Sequence, residues 1–175
     1  MPCSRVQYVV CETKDCPDGK VYSPSLGGQC VDDYQFFTTD TTGNFDTVKA
    51  RCEAQGGKIA TILTRSEFDE AHTICKNKVD ASGSEGCYIG LSDSDAEGRW
   101  KYDDDNTPRV GFYDNRDSAG RVSPRRGINP WWSGEPNNHG GNEDCIHIWQ
   151  PQQFYWNDIG CTATQYGLCQ RSYVL

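Results

Sequence analysis

Three short motifs in the last third of the chain decide its interpretation. In order they read Glu135-Pro136-Asn137, Asn142-Glu143-Asp144-Cys145 and Trp156-Asn157-Asp158, and Cys161 follows the last of them. They concentrate carboxylates and side-chain amides, oxygen donors that suit Ca²⁺, which takes about six to eight ligands in proteins. We predict one principal calcium site with the side-chain ligands Glu135, Asn137, Glu143, Asn157 and Asp158.

The same side chains suit two neighbouring sugar hydroxyls. A carboxylate only accepts hydrogen bonds, whereas an amide NH2 donates them. Each hydroxyl could give a lone pair to the metal and donate to Glu135 or Glu143. It could also accept from the amide of Asn137 or Asn157. The residue types therefore predict a calcium-bridged carbohydrate site.

The motifs and their order closely resemble the C-type lectin domain, in which they form the principal calcium and sugar site. The segment around Cys52 resembles the first helix of that family, and Gly167-Leu168-Cys169 resembles its closing strand. Tyr88-Ile89-Gly90-Leu91 resembles its Trp-Ile-Gly-Leu strand, with Tyr in place of Trp. The resemblance runs from Cys16 to Ser172. It implies an α+β, disulfide-stapled double-loop fold with two helices and small antiparallel sheets.

Glu135-Pro136-Asn137 resembles the mannose-type form of the site, whereas galactose-type members carry Gln-Pro-Asp. This resemblance implies recognition of mannose, glucose, N-acetylglucosamine or fucose through vicinal hydroxyls, and a cis bond before Pro136. His139 and Ile159 stand where some mannose-type members pack a side chain against the sugar. Plain loop packing is the alternative for both.

A second, auxiliary calcium site is implied by the same resemblance. Its ligands would be Asp93, Glu97, Asn138 and Asp144 with the backbone carbonyl of Glu143. Asn138 stands where the family often has Asp, so it keeps an oxygen ligand but removes a charge. The alternative is that Asp93 and Glu97 are ordinary surface acids.

Two tryptophans precede the Glu-Pro-Asn motif. The spacing to Glu135 leaves open whether Trp131 or Trp132 is the buried tryptophan of the family. The other could be an exposed platform that stacks on a sugar face.

The ten cysteines favour an oxidising compartment and a disulfide framework. Zinc is disfavoured because no Cys-x2-Cys or His-x3–5-His spacing occurs. The family resemblance implies Cys52–Cys169 and Cys145–Cys161, together with Cys16–Cys30 as the hairpin bond of the longer form of the domain. Cys75 and Cys87 flank a polar loop and could pair across it. Cys3 and Cys11 remain, either bonded to each other or engaged in bonds between chains.

Length and charge narrow the class of protein. The 175 residues suit one domain with an elaboration. We predict an N-terminal extension over residues 1–15 and a C-type lectin domain over residues 16–175, with an insertion at about 107–129. That insertion is rich in arginine and is either a solvated loop or a contact surface for acidic glycans. The net charge of −8 argues against nucleic acid, which needs clustered Lys and Arg.

Local patterns place the regular elements. Turns between Cys16 and Phe37 predict a hairpin. Asn44 is a helix N-cap, and Gly56-Gly57 ends that helix. Thr64-x-x-Glu67 is a capping box that opens a second helix. Residues 92–145 show little periodicity, and such a long irregular segment usually carries function or is disordered.

We expect a secreted, extracellular protein, because the chain is rich in cysteine and no apolar run approaches the ~20 residues of a membrane span. Its expected partners are glycans or glycoproteins. A single shallow site binds weakly, so we also expect a homo-oligomer, in which Cys3 or Cys11 could link chains.

Three functions compete. The first is calcium-dependent carbohydrate binding without catalysis. The second keeps the fold but binds a protein, ice or mineral surface. The third is an enzyme such as a glycosidase built on two carboxylates. It is disfavoured because acids committed to calcium cannot act as general acids, and because His72, His139 and His147 show no nucleophile pattern.

Overall fold

The computed structural model describes residues 20–23, 29–32, 34–62, 65–98, 100–103 and 130–172. The chain divides into a unit of residues 1–35 with 172–175 and a unit of residues 36–171. In the first unit, β1 (Lys20–Ser23) pairs antiparallel with β2 (Gln29–Asp32), which is the predicted hairpin. The predicted boundary at residue 15 lies outside the described residues.

The first helix of the second unit, α1 (Phe45–Ala54), begins and ends where the sequence predicts. Asn44 caps it, because the side-chain oxygen accepts the Thr47 N–H at 2.9 Å. Phe45, Val48 and Cys52 form its buried face. Gly56 ends the helix with a φ of +76°, a conformation in which glycine avoids the steric cost of a side chain.

The second helix, α2 (Arg65–Ser82), packs one apolar face inward. Phe68, Ala71, Cys75 and Val79 are buried at helical spacing. The predicted capping residue, Thr64, lies outside the described residues. Neither helix in the described part of the chain is both long enough and apolar enough to cross a membrane.

The remaining strands form one sheet. They are β3 (Tyr34–Thr38), β4 (Lys58–Ile59), β5 (Gly86–Ser92), β6 (Lys101–Tyr102), β7 (Cys145–Trp149), β8 (Tyr155–Ile159) and β9 (Tyr166–Ser172). The order is β3-β9-β5-β7-β8, with β4 beside β9 and β6 beside β5. The sheet is mixed and not purely antiparallel as expected, because β5 and β9 run parallel. Parallel neighbours need a long connection, and the loop region with β7 and β8 supplies it.

The core lies between α1 and the sheet, and disulfides crosslink the elements around it. The described residues contain the bonds Cys52–Cys169, Cys75–Cys87 and Cys145–Cys161, which are the pairs expected for these six cysteines. Tyr88, which replaces the Trp of the family motif, is fully buried against the edge of Phe45. Its hydroxyl donates toward the carbonyls of Gly160 and Ala163, 2.9 Å from each, and so holds the β8–β9 turn.

Candidate functional site

The segment of residues 130–138 docks along the outer edge of β8, the last strand in the sheet order. Trp156 N–H donates to the Pro130 carbonyl at 2.7 Å, and Trp132 N–H donates to the Trp156 carbonyl at 3.0 Å. Glu135 N–H then donates to the Trp132 carbonyl at 3.1 Å. This docking places the Glu-Pro-Asn motif against the Trp-Asn-Asp motif.

Asp158 is the centre of the loop's hydrogen bonding. Its side chain is fully buried. One carboxylate oxygen accepts the Asn137 N–H at 3.1 Å, and the other accepts the Asn138 N–H at 2.6 Å. Asn138 has a φ of +46°, and the Glu135–Pro136 bond is cis. One buried carboxylate thus anchors the whole turn.

Glu135 is a buried carboxylate with an unsatisfied oxygen. The side chain is 8% exposed, and its Oε2 has no hydrogen-bond partner in the described part of the chain. The pKa of Glu135 is raised to about 7, chiefly by burial and then by a hydrogen bond with Asp158 and the charges of Asp158 and Glu143. Asn137 opposes this rise through a hydrogen bond. No basic side chain is among these groups, so the carboxylates repel one another.

Glu143 is held by the turn that precedes it. A short 3-10 turn covers His139–Gly141, and the His139 N–H donates to Glu143 Oε2 at 2.7 Å. Burial raises the pKa of Glu143, the His139 N–H lowers it, the charge of Asp158 raises it, and the charge of the His139 side chain lowers it. Glu143 therefore lies near the Asp158 carboxylate, as Glu135 does, but also near the His139 side chain.

The side chain of Asn157 is held by His147, a residue that the sequence motifs do not include. The two residues face each other across β7 and β8, with Asn157 Nδ2 at 3.1 Å from His147 Nε2. Burial lowers the pKa of His147 to about 4, so the imidazole is neutral at pH 7 and its Nε2 accepts. In the sequence, the sign of this role is that the polar His147 stands between the apolar residues Ile146 and Ile148 of β7, which are buried.

The arrangement of the Asn157 amide bears on the predicted sugar contact. Nδ2 also donates to the Asp158 carbonyl, so both of its hydrogens have protein partners. The Asn157 carbonyl oxygen is left as the candidate metal ligand. Donation from this amide to a sugar would require the side chain to rotate.

The predicted auxiliary ligands also come together. Asp93 N–H donates to the Asp144 carbonyl at 3.2 Å, and the Asn138 amide donates to Glu97 Oε2. Glu143 N–H donates to Asn138 Oδ1 at 3.1 Å. Both polar atoms of the Asn138 side chain therefore have protein partners.

Asp93 repeats the pattern of Glu135. It is 2% exposed, and its Oδ1 lacks a hydrogen-bond partner among the described residues, while its Oδ2 accepts the Gly98 N–H at 2.6 Å. The pKa of Asp93 is raised to about 6, and burial is the largest cause. The Gly98 N–H lowers this pKa, and neighbouring acids raise it. Asp93 is thus not an ordinary surface acid.

These observations test whether the residues fit a calcium ion. Across the described ranges, no three His, Cys, Asp or Glu side chains converge as a ready-made metal cluster. The principal set mixes three carboxylates with two amides, and mutual repulsion opposes closer approach of the acids. Two buried, unpartnered carboxylate oxygens, one in each predicted set, are sites that a cation would satisfy. We conclude that the donor set fits calcium chemically.

The aromatic residues resolve one open question. Trp131 is 3% exposed and packs edge-on against Trp156 at 5.8 Å, so it is the buried tryptophan. Trp132 is half-buried and contacts Tyr155. Ile159 packs against the core, which agrees with the simpler alternative for that residue. His139 is exposed.

Several predicted features lie outside the described residues. They are Cys3, Cys11, Cys16 and the insertion at about 107–129.

Comparison with known proteins places the sequence among lectin-type domains. The model of the family described as "Lectin C-type domain" matches residues 41–171. A hepatic lectin of Gallus gallus is 37% identical over 84 residues, which are 48% of this chain and 32% of that protein. The chain thus spans about a third of that relative. A perlucin-like protein of Mytilus galloprovincialis is 27% identical over 160 residues, 91% of this chain and 88% of that protein.

A solved structure extends the comparison to the fold. The structure of a calcium-independent type II antifreeze protein aligns with a TM-score of 0.58 at 18% identity, covering 91% of this chain and 95% of that one. At this identity the likeness concerns the fold alone.

Proposed function

The chain belongs to the lectin C-type domain family, and on this premise we propose that it is a calcium-dependent carbohydrate-binding protein of the mannose type. The matched family is described as a lectin domain, and we therefore propose binding without catalysis. The observation that carries the proposal is the buried, unpartnered Glu135 Oε2 beside Asp158 and Glu143. Leaving such an oxygen unsatisfied costs about 1–3 kcal/mol, and a cation there would remove that cost.

The residues of the proposed principal site have different roles. Glu135, Asn137, Glu143, Asn157 and Asp158 would hold the ion. Bound calcium would supply a shared positive charge that two vicinal sugar hydroxyls can coordinate. Glu135 and Glu143 would accept hydrogen bonds from these hydroxyls, and the Asn137 amide would donate to them. Asp158 would position the loop through the Asn137 and Asn138 N–H groups.

The Glu-Pro-Asn order supports the choice of sugar. We propose mannose, N-acetylglucosamine, glucose or fucose, bound through equatorial vicinal hydroxyls where the sugar has them, with an auxiliary calcium at Asp93, Glu97, Asn138, Glu143 and Asp144. His139, which is exposed beside Glu143, would contact the sugar. Ile159 is partly buried against the core, so only the exposed part of its side chain would contact the sugar.

We propose the domain bounds, the compartment and the oligomeric state on the same basis. We place a lectin domain of the longer form at residues 16–175, in an oxidising, extracellular compartment that suits its disulfides. Weak single-site binding favours a homo-oligomer acting on glycans or glycoproteins.

Affinity chromatography tests the proposal. The protein should be retained on mannose–agarose in calcium at pH 8 and released by EDTA, because the chelator removes the ion that joins carboxylates to hydroxyls. Free mannose should elute it, and galactose should elute it poorly. Retention that survives EDTA, or equal elution by galactose, would contradict the assignment.

A second candidate function is binding of a protein, ice or mineral surface without calcium. The specific observation in its favour is the amide hydrogen bonding. Both Asn138 polar atoms and both Asn157 amide hydrogens already have protein partners. Glu135 Oε2 and Asp93 Oδ1 oppose this function, because a calcium-independent surface gains nothing from unpartnered buried carboxylate oxygens. Retention on mannose–agarose separates the two candidates.

Substitution of Asn138 by Asp should tighten calcium binding at the auxiliary site by about tenfold, because ligand charge tunes calcium affinity. The change adds a carboxylate and removes the amide that now donates to Glu97. Calorimetric titration with calcium measures the affinity and stoichiometry. Asn142→Asp is the matched control, since it adds the same charge at an exposed position nearby. Equal affinities in the two variants would refute the role of Asn138.

A further inference from the structure

An exposed aromatic surface lies next to the segment that carries the Glu-Pro-Asn motif. Tyr155 is 38% exposed, and it is the exposed large hydrophobic side chain in the described part of the chain. Its ring contacts that of half-buried Trp132, with ring centroids 5.9 Å apart and an interplanar angle of 56°. Together these two side chains form the aromatic pair.

The aromatic pair is continuous with the proposed sugar site. Side chains alternate along a strand, so Tyr155 and Asn157 project from the same face of β8, about 7 Å apart along it. Their partners on β7 are Trp149 and His147, whose rings stack at 5.6 Å, and His147 contacts Asn157. This face of the two strands therefore carries both Asn157 and Tyr155, and the contacting residues His147 and Trp149 stand opposite them.

The second member of the pair is tied to the Glu-Pro-Asn loop. Trp132 N–H donates to the Trp156 carbonyl, and the Trp132 carbonyl accepts the Glu135 N–H. The loop that carries Glu135 thus also positions one ring of the pair. Trp132 is three residues before Glu135, so one ring of the pair and the proposed calcium ligand belong to the same turn.

The small exposed area of the aromatic pair favours a sugar over a protein as its ligand. A stable protein partner needs roughly 1,000 Å² or more of buried surface, whereas one exposed tyrosine with one half-buried tryptophan offers far less. An aromatic ring does match the face of one pyranose ring, whose C–H groups are apolar. Pyranoses with only equatorial substituents present such a face on both sides. The axial hydroxyl of mannose makes one face polar.

From this geometry we propose that Trp132 and Tyr155 form a second sugar subsite. It stacks the glucose-type residue next to the one held at the calcium site, so that the protein prefers β-1,4-linked N-acetylglucosamine chains to the single sugar. The inference rests on the proposed calcium-dependent sugar binding and adds its preference for chain length and linkage.

The test compares N-acetylglucosamine with its β-1,4-linked trimer by calorimetric titration in excess calcium. Only the non-reducing terminal residue of the trimer keeps a free vicinal hydroxyl pair, so monomer and trimer each offer one group to the calcium site. One stacking contact should then favour the trimer by roughly threefold to tenfold in affinity. The double variant Trp132→Ala/Tyr155→Ala should reduce the trimer-to-monomer ratio of affinities to about one. Its affinity for the single sugar should change less than about twofold.

Two further variants distinguish loss of the second subsite from a general loss of structure. Tyr155→Ala leaves the Trp132 backbone contacts to the Glu135 loop intact and should by itself lower the ratio. Phe37→Ala removes a half-buried ring on β3, at the opposite end of the sheet order, and should leave the ratio unchanged.

A wild-type ratio of about one, or a ratio unchanged in both Tyr155→Ala and the double variant, would overturn the second subsite while leaving calcium-dependent sugar binding in place. Absence of calcium-dependent binding of either sugar would overturn the proposed function, and the second subsite with it.

Discussion

Substitution of Glu135 by Gln should weaken calcium binding roughly a hundredfold and at the same time stabilise the calcium-free protein. The first effect follows from loss of one charged ligand. The second follows from the burial of Glu135 beside Asp158 and Glu143, which raises its pKa to about 7. At pH 8 the wild-type carboxylate is ionised and poorly solvated, whereas a glutamine amide can donate to Asp158.

The size of the stabilisation should be about 1 kcal/mol in the free energy of unfolding, the scale of one relieved polar group. Urea unfolding in EDTA at pH 8 measures it, and calorimetric titration measures the loss of calcium affinity. Glu85→Gln, at an exposed position before β5, is the matched control and should change neither quantity. A purely structural role for Glu135 predicts the reverse, a variant that is less stable without calcium.

Removal of calcium from the wild-type protein should lower its thermal midpoint at pH 8 by roughly 5–10 °C when the starting calcium concentration is about a hundred times the dissociation constant. This estimate combines about 2.7 kcal/mol of ligand stabilisation with the usual shift per kcal/mol for a chain of this length. The cause is the repulsion among Glu135, Glu143 and Asp158. Scanning calorimetry with and without EDTA measures the difference.

The pH dependence of that difference has a definite sign. The pKa of Glu135 rises from an ordinary value of 4.5 to about 7, and that of Asp93 from 3.8 to about 6. The folded calcium-free protein therefore binds more protons than the unfolded chain between about pH 4 and pH 7. Its stability from these two groups falls as pH rises through that window. Calcium must displace the same protons, so calcium affinity falls as pH drops below about 7.

The stabilisation by calcium should accordingly be large at pH 8 and small at pH 5. Magnesium at the same concentration is the control, because its small octahedral shell disfavours a site built for more oxygens. An equal midpoint with and without calcium at pH 8, or the same calcium effect at pH 5, would contradict this account.

The sequence predicted the elements and the clustering of site residues more fully than their hydrogen bonding. Asn44 and Gly56 bound α1 as expected, because capping and left-handed glycine act locally. The motifs around Glu135 and Asp158 meet because residues 130–138 dock on β8. Their order indicated this only through the family resemblance. Local spacing could not distinguish Trp131 from Trp132, since burial depends on which residue faces the strand.

Other features needed three-dimensional contacts. His147 reads as one polar residue in an apolar strand, and its role beside Asn157 depends on the register of β7 and β8. The parallel pairing of β5 with β9 joins segments far apart in sequence, so no local pattern encodes it. The unpartnered oxygens of Glu135 and Asp93 are likewise a property of the packed loops.

The most direct test is one calorimetric experiment on metal-free wild-type protein at pH 8, in which methyl α-mannoside is titrated first without and then with added calcium. We expect no sugar heat in the first titration, uptake of calcium with at least one ion per chain, and saturable sugar binding afterwards. Sugar binding of equal affinity without calcium, or no uptake of calcium, would contradict a cation shared between Glu135, its neighbours and the glycan.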